Sequence, residues 1–193
     1  MTDIALILID YQVALCDQGP LGRQPALAEQ VAERGVLARA AAALSAARAR
    51  GQYVVHVRLA FDPSYELRTN RSARFDAYPE AGAMLVGSPE AAFMDQVAPL
   101  ITEPVVTKGG VDALIGTPLV EMLLGNGIRQ VVLAGVATNL AVEATARHAT
   151  DIGLGVTVLE DCCASFKGEL HAFAVENLFP MFSSVSTTDA YFA

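Results

Sequence analysis

The sequence predicts an α/β fold, a three-layer α-β-α domain built on a six-stranded, mostly parallel, doubly wound sheet. Short apolar runs alternate with helix-length stretches along most of the chain, a pattern typical of consecutive β-α-β units. The first run, residues 4–9, is apolar throughout, as expected of a parallel strand that helices cover on both faces. The 193 residues suit one domain with a large core, so we expect a single domain over residues 1–193.

The other elements follow from the same alternation. Five further strands are predicted from runs rich in Val, Leu, Ile or Thr, at residues 52–60, 104–108, 129–135, 154–161 and 183–189. Helices are predicted from Ala-rich or amphipathic stretches, at residues 29–51, 117–127, 138–152 and 169–179. Four prolines interrupt residues 61–103, which predicts irregular structure there, with a short helix near residues 90–98.

Composition limits the classes of partner. The formal net charge is −8, and Arg and Lys are scattered, so we expect no nucleic acid as a partner. Hydrophobic residues make up 53% of the chain and charged residues only 18%, which predicts a homo-oligomer, a dimer or a tetramer, that covers exposed apolar surface.

The cysteines and the first segment indicate a compartment. Cys16, Cys162 and Cys163 are odd in number and lack the spacing of a disulfide framework, so we expect reduced thiols in the cytoplasm. The first apolar run is too short to cross a membrane, and it lacks the basic residues that begin a signal peptide. We therefore expect a protein without a membrane partner.

Candidate site residues lie where predicted strands end, because ligands of doubly wound sheets bind beyond the carboxyl ends of the strands. Asp10 and Tyr11 follow the first strand, Arg58 lies near the end of the second, and Lys108 ends the third. The fourth strand is followed by a glycine-containing turn and the start of a helix, GVATNLAVEATAR, whose N–H groups suit an anion or a developing oxyanion. A buried Asp10 beside Lys108 would be a pair of groups that tune each other's pKa.

These stretches resemble the isochorismatase-like hydrolases, also called the cysteine hydrolase superfamily. The matching segments are LILIDYQ, VVTKGGVDALIGTPL and GVATNLAVEATARHATDIGLGVTVLEDCCAS, followed by His171, and together they span nearly the whole chain. The resemblance implies hydrolysis of a small molecule and a triad of Asp, Lys and Cys, whose first two members fall on Asp10 and Lys108. It also implies a cis peptide bond between Val136 and Ala137, and oxyanion-binding N–H groups in the turn from Val136 to Ala141.

Ala141 occupies the position of the family's nucleophilic cysteine, and a methyl group cannot form a thioester. Three explanations follow: a cysteine changed to alanine to trap a ligand, a natural hydrolase that needs no cysteine, or a non-catalytic relative that binds a small molecule. In the second case a carboxylic acid protonates the carbon of a vinyl ether, and the pKa of Asp10 would have to be raised by burial. A relocated nucleophile at Cys162 or Cys163 has weaker support, because unliganded cysteine is usually a buried apolar residue.

The remaining expectations concern ligands. The three histidines have no metal-ligand spacing, and no stretch matches a dinucleotide-binding motif, so we expect neither metal nor cofactor. Tyr11, Arg58 and Thr138 are expected to contact substrate. Residues 66–78 are either a lid, in which Arg71 and Arg74 bind a substrate carboxylate, or a solvated loop or subunit contact.

Overall fold

The computed structural model describes residues 2–193 and contains one sheet of six strands, all parallel, in the order β3-β2-β1-β4-β5-β6. The strands are β1 Ile4–Ile9, β2 Tyr53–Leu59, β3 Val105–Lys108, β4 Gln130–Val136, β5 Gly155–Ala164 and β6 Ser184–Ser186. The prediction of a six-stranded, doubly wound α/β fold is confirmed. The order reverses between β1 and β4, and a crevice forms beyond the carboxyl ends of two such strands.

Helices form a layer on each side of the sheet. In chain order they are α1 Val13–Cys16, α2 Pro25–Glu33, α3 Val36–Ala49, α4 Ala73–Ala81, α5 Leu119–Gly125, α6 Glu143–Asp151, α7 Gly168–Phe173 and α8 Thr188–Tyr191. Helices α2 and α3 pack on one face of the sheet, and α5 and α6 pack on the other. Within residues 2–193, every helix is too short or too polar to cross a bilayer.

Strand β1 lies in the middle of the sheet and is apolar at every position because helices cover both of its faces. Ala5, Ile7 and Ile9 belong to the core under α5 and α6, whereas Leu6 and Leu8 belong to the core under α2 and α3. All five residues are almost fully buried. Burial of each large aliphatic side chain stabilises the fold by about 1.5–3 kcal/mol relative to an exposed one. This burial fixes β1, and therefore the residue that follows it, in the middle of the sheet.

Several elements differ from the prediction in extent or type. The helix predicted over residues 29–51 is two helices, because Gly35 has a φ of 63°, a left-handed conformation that ends α2. Residues 61–103 contain α4, and the short helix near residues 90–98 is replaced by two 3₁₀ turns, Pro89–Ala91 and Asp95–Val97. The last strand is only three residues long and is followed by α8.

Candidate active site

A cavity of about 190 Å³ opens beyond the carboxyl ends of β1, β3 and β4, at the point where the strand order reverses. Asp10, Lys108 and Ala141 all line this cavity, together with Val136 and Ala137 of the turn after β4. The topology therefore brings the carboxylate, the ammonium and the position of the missing thiol to one place.

Asp10 is held by the backbone on both sides. Its N–H donates to the Val57 carbonyl at 2.9 Å, and its own carbonyl accepts from the Gln12 N–H at 2.8 Å. Its φ is 60°, in the left-handed region that Asp and Asn tolerate better than other residues with a side chain. This conformation turns the chain away from the strand direction and leaves the carboxylate against the cavity.

The Lys108 ammonium has partners for all three of its protons. Its Nζ lies 2.8 Å from Asp10 Oδ2, and it donates to the carbonyls of Gly110 at 3.0 Å and Val111 at 2.7 Å. The side chain is almost fully buried. A buried charge is tolerated when it is paired and hydrogen-bonded, as here. Lys108 therefore tunes Asp10 and has no proton left to donate to a ligand.

The Asp10 carboxyl group favours its protonated form more than an ordinary aspartic acid does. Burial raises its pKa, and the nearby Lys108 charge opposes that shift without cancelling it. Asp10 Oδ1 has no hydrogen-bond partner among residues 2–193 and is shielded from solvent. A carboxyl group with one paired and one free oxygen can release a proton to a ligand from the free oxygen.

The turn after β4 begins with a cis peptide bond between Val136 and Ala137, at the position that the resemblance implies. A π-helical turn, Thr138–Val142, follows and leads into α6. The Thr145 hydroxyl donates to the Ala141 carbonyl at 2.7 Å, and its Oγ1 accepts from the Ala113 N–H at 3.0 Å. These bonds fix Ala141 relative to the segment after β3.

Gly109 sets how closely residues 65–81, the covering segment, approach the site. A Cβ at this position would lie 1.5 Å from the Leu67 carbonyl oxygen, and the Gly109 carbonyl accepts from the Thr69 N–H at 3.0 Å. This contact places the covering segment beside Lys108. The segment contributes five residues to the cavity wall: Asn70, Ser72, Arg74, Phe75 and Tyr78.

Arg74 is an exposed residue at the outer part of the cavity wall, whereas Asp10 is buried at its inner part. The Arg74 guanidinium carbon lies 4.7 Å from the centre of the Phe166 ring, within the range of a cation–π interaction. Phe166 follows β5 and also lines the cavity. Residues 66–78 therefore form part of the cavity wall, and Arg74 is their charged side chain there.

Four residues that we expected to contact substrate lie outside the cavity wall. The Tyr11 ring is buried in the core under α2 and α3, and its hydroxyl donates to the Cys162 carbonyl. Arg58 donates to Thr107 Oγ1 at 3.0 Å on the neighbouring strand β3. Thr138 is buried and shares a hydrogen bond of 2.9 Å with His171 Nδ1, and Arg71 is exposed to solvent. The structure thus places none of these four side chains on the wall of the cavity.

Three contributors to the site were not among the predicted site residues: Tyr78, Gln12 and Phe166. Tyr78 lines the cavity through a ring that packs against Phe61 and Phe75, and burial raises the pKa of its hydroxyl. Gln12 links three segments, since its amide nitrogen donates to the carbonyls of Leu59 and Ala91 at 2.9 Å each. Its oxygen accepts from the Leu59 N–H at 2.8 Å. The motif DYQ is the sequence signal for this linking role of Gln12, because an amide buried directly after a central strand needs hydrogen-bond partners.

The three cysteines are buried and lie outside the cavity wall. Burial raises the pKa of the Cys163 thiol to about 12, and it raises the pKa of the Cys162 thiol further. Neither thiol is activated as a nucleophile, so the cavity provides no support for a relocated cysteine. Among residues 2–193, no three His, Cys, Asp or Glu side chains form a group that could hold a metal ion.

Known proteins of one family are similar to this chain over most of its length. Residues 4–190 match the family described as Isochorismatase domain. An uncharacterized isochorismatase family protein of Escherichia coli O157:H7, YecD, is 30% identical over 96% of this chain and 92% of its own. A maleamate amidohydrolase of Pseudomonas putida is 30% identical over 86% of this chain and 75% of its own. An isochorismatase family protein of Burkholderia thailandensis superposes with a TM-score of 0.79, at 28% identity over 98% of this chain and 94% of its own.

Proposed function

The chain belongs to the isochorismatase family of hydrolases, and from this premise we propose that it hydrolyses a small carboxylated molecule without a cysteine nucleophile. In the proposed reaction Asp10 is a general acid and the bond that breaks is the C–O bond of a vinyl ether. One observation carries the proposal: the buried Asp10 carboxyl group, with its raised pKa and its free Oδ1, shares a cavity with the Ala141 methyl group.

The first step is a proton transfer to carbon. Asp10 Oδ1 gives its proton to the terminal vinyl carbon, a C–H bond forms, and the ether carbon becomes an oxocarbenium ion. The carboxylate left behind is stabilised by the Lys108 ammonium at 2.8 Å. General acid catalysis by a positioned carboxyl group contributes about 10²- to 10⁴-fold to a rate.

The second step restores the acid. Water adds to the cationic carbon and its proton returns to the Asp10 carboxylate, so the group ends protonated as it began. The hemiketal then divides into a carbonyl compound and an alcohol. The N–H groups of Ala137 and Ala141 are the proposed donors to the oxygen atoms at this centre, in a site that the apolar side chain of Val136 keeps dry.

Amide hydrolysis is the second candidate, and one observation favours it: a relative that is 30% identical is named maleamate amidohydrolase. In that case Ala141 occupies the place of a thiol that would attack the carbonyl carbon, and the chain as given would be slow or inactive. A protein that only binds the ligand is the remaining alternative.

One set of three proteins separates these cases: the native chain, Asp10→Asn and Ala141→Cys, each tested on a panel of vinyl ethers that includes isochorismate and on a panel of amides. Asparagine suits Asp10 because it tolerates the same left-handed backbone. Asp151→Asn, at an exposed carboxylate at the end of α6, is the matched control.

Turnover of a vinyl ether by the native chain, lost in Asp10→Asn and kept in Asp151→Asn, supports the proposal. Amide turnover by Ala141→Cys, together with no vinyl-ether turnover by the native chain, supports the second candidate and contradicts thiol-free hydrolysis. If all three proteins bind a metabolite without turnover, the chain is a binding protein and the proposal is wrong.

A further inference from the structure

The charges on the cavity wall are few, and most of them are already paired. Among the lining residues that the structure describes, the charged ones are Asp10, Lys108 and Arg74. Lys108 donates to Asp10 Oδ2 at 2.8 Å and to the carbonyls of Gly110 and Val111, so its ammonium has no proton left for a ligand. One positive charge is therefore available to a ligand, and Arg74 carries it.

Arg74 is free to bind an anion. Its guanidinium faces the Phe166 ring at 4.7 Å, and within residues 2–193 it forms no salt bridge with a carboxylate. Its neighbour Arg68 differs, because Asp76 pairs with it. A guanidinium over an aromatic ring keeps its N–H donors at the ring's edge, where a carboxylate can bind through two parallel hydrogen bonds.

The wall between Arg74 and Asp10 is apolar. The side chains there that are largely buried are Leu15, Leu27, Leu59, Phe75, Val136 and Ala141. The polar groups that accompany them, on Asn70, Ser72 and Tyr78, are neutral. The volume of about 190 Å³ is close to that of apolar protein cavities of about 150 Å³ that accommodate benzene.

We propose that the cavity selects small monocarboxylates with an unsubstituted apolar body, the carboxylate on Arg74 and the body between Leu59, Phe75 and Val136. A second carboxylate would have to lose its water in the apolar part without a cation to pair with, which disfavours dicarboxylates of the same size. This inference rests on the proposed function for its site, but it concerns binding and can be tested without turnover.

Three four-carbon compounds form a matched set: crotonate, with one carboxylate and a methyl group; fumarate, in which a second carboxylate replaces the methyl group; and crotonamide, which is neutral. Their affinities can be measured by calorimetric or NMR titration of the native chain, Arg74→Gln and Arg71→Gln. Arg71 is the control because it is an exposed arginine of the same segment that lies outside the cavity wall.

We expect the native chain to bind crotonate at least about tenfold more tightly than fumarate or crotonamide. Fumarate would bring an unpaired charge into the apolar part, and crotonamide lacks the charge that pairs with Arg74. Arg74→Gln should weaken crotonate binding by about tenfold and leave crotonamide unchanged, whereas Arg71→Gln should change neither. The inference is wrong if fumarate binds as tightly as crotonate. That result would follow if a second copy of the chain supplied another cation. The inference is also wrong if Arg74→Gln leaves the affinity unchanged, or if crotonate shows no saturable binding.

The same titrations on Asp10→Asn separate this inference from the proposed function. If the preference for crotonate persists while no vinyl ether or amide is hydrolysed by any variant, the substrate class stands and the proposed function fails. If a dicarboxylate is hydrolysed through Asp10, the proposed function stands and the substrate class is wrong.

Discussion

The Lys108 ammonium lies 2.8 Å from Asp10 Oδ2 and gives its two other protons to the carbonyls of Gly110 and Val111. Asp10 Oδ1, in contrast, has no partner among residues 2–193. One oxygen of the carboxyl group is thus fixed by Lys108, and the other is buried without a partner among those residues. This asymmetry determines what each residue of the pair can do.

Lys108→Met should raise the pKa of Asp10 further. Burial already raises that pKa and the Lys108 charge opposes the shift, so removal of the charge leaves burial less strongly opposed. The midpoint of an NMR titration of the Asp10 carboxyl carbon should move to higher pH than in the native chain. The free energy of unfolding should decrease by about 3 kcal/mol, because a buried pair loses one partner. A midpoint that stays in place or moves to lower pH would show that Lys108 does not tune Asp10.

Ala141→Cys should convert the site to covalent chemistry on amides. The thiol would lie in the cavity with Asp10 as its base, and its attack on an amide carbonyl would release the amine and leave a thioester. Mass spectrometry of protein quenched during turnover should detect the acyl group on residue 141. Ala141→Ser is the comparison, since a hydroxyl without a strong base forms no such adduct. An adduct on Cys162 or Cys163 would contradict the assignment of the position.

Gly109→Ala should displace the covering segment. The new Cβ would lie 1.5 Å from the Leu67 carbonyl oxygen, so Leu67 and Arg68 must move, and Arg74 and Phe75 move with them. We expect crotonate affinity to decrease by about tenfold or more, as measured by titration calorimetry. Gly125→Ala is the matched control, because no heavy atom lies within 4 Å of its added Cβ. Equal affinities in the two variants would show that the Gly109 contact does not position the segment.

Glu103→Gln should reduce stability at neutral pH and leave it nearly unchanged in acid. Burial raises the pKa of Glu103, but hydrogen bonds from Arg48, Leu100 and His56 outweigh that effect and hold its pKa at about 2, below its ordinary value of 4.5. A carboxylate with a lowered pKa stabilises the fold above its ordinary pKa, and the contribution is lost as pH falls toward 2. The difference in melting temperature between native and variant chains should therefore be largest at neutral pH and should decrease below pH 4.5.

Glu66→Gln, at an exposed glutamate, is the control for that series and should change the melting temperature little at any pH. A Glu103→Gln variant with the same melting temperature as the native chain at neutral pH would contradict the interpretation.

Much of the site followed from one topological rule. Because parallel strands end at the same edge of a sheet, Asp10, Lys108 and Ala141 could be assigned to one crevice from the sequence, and all three line one cavity in the structure. The segment after Lys108 was harder to predict. Helix α4 contains Pro79, and its only large apolar side chains are Phe75 and Tyr78, so its sequence does not show the periodicity of a helix.

The positions of Tyr11 and Phe166 could not be predicted from the sequence, for two different reasons. The φ of 60° at Asp10 breaks the alternation of β1, so Tyr11 packs with Leu6 and Leu8 in the core. Strand periodicity cannot predict that reversal. The place of Phe166 on the cavity wall was not predicted, because it contacts Arg74 across a separation of 92 residues and local sequence patterns do not indicate such contacts.

The pH dependence of turnover tests the central claim most directly. For the vinyl ether that the native chain turns over, kcat/KM should decrease as pH rises, with a midpoint above the ordinary pKa of aspartic acid, because only protonated Asp10 can donate. That midpoint should coincide with the midpoint of the Asp10 carboxyl titration by NMR, and Asp10→Asn should abolish turnover at every pH. A rate that rises with pH through that midpoint, or one that survives in Asp10→Asn, would contradict the assignment of Asp10 as the acid.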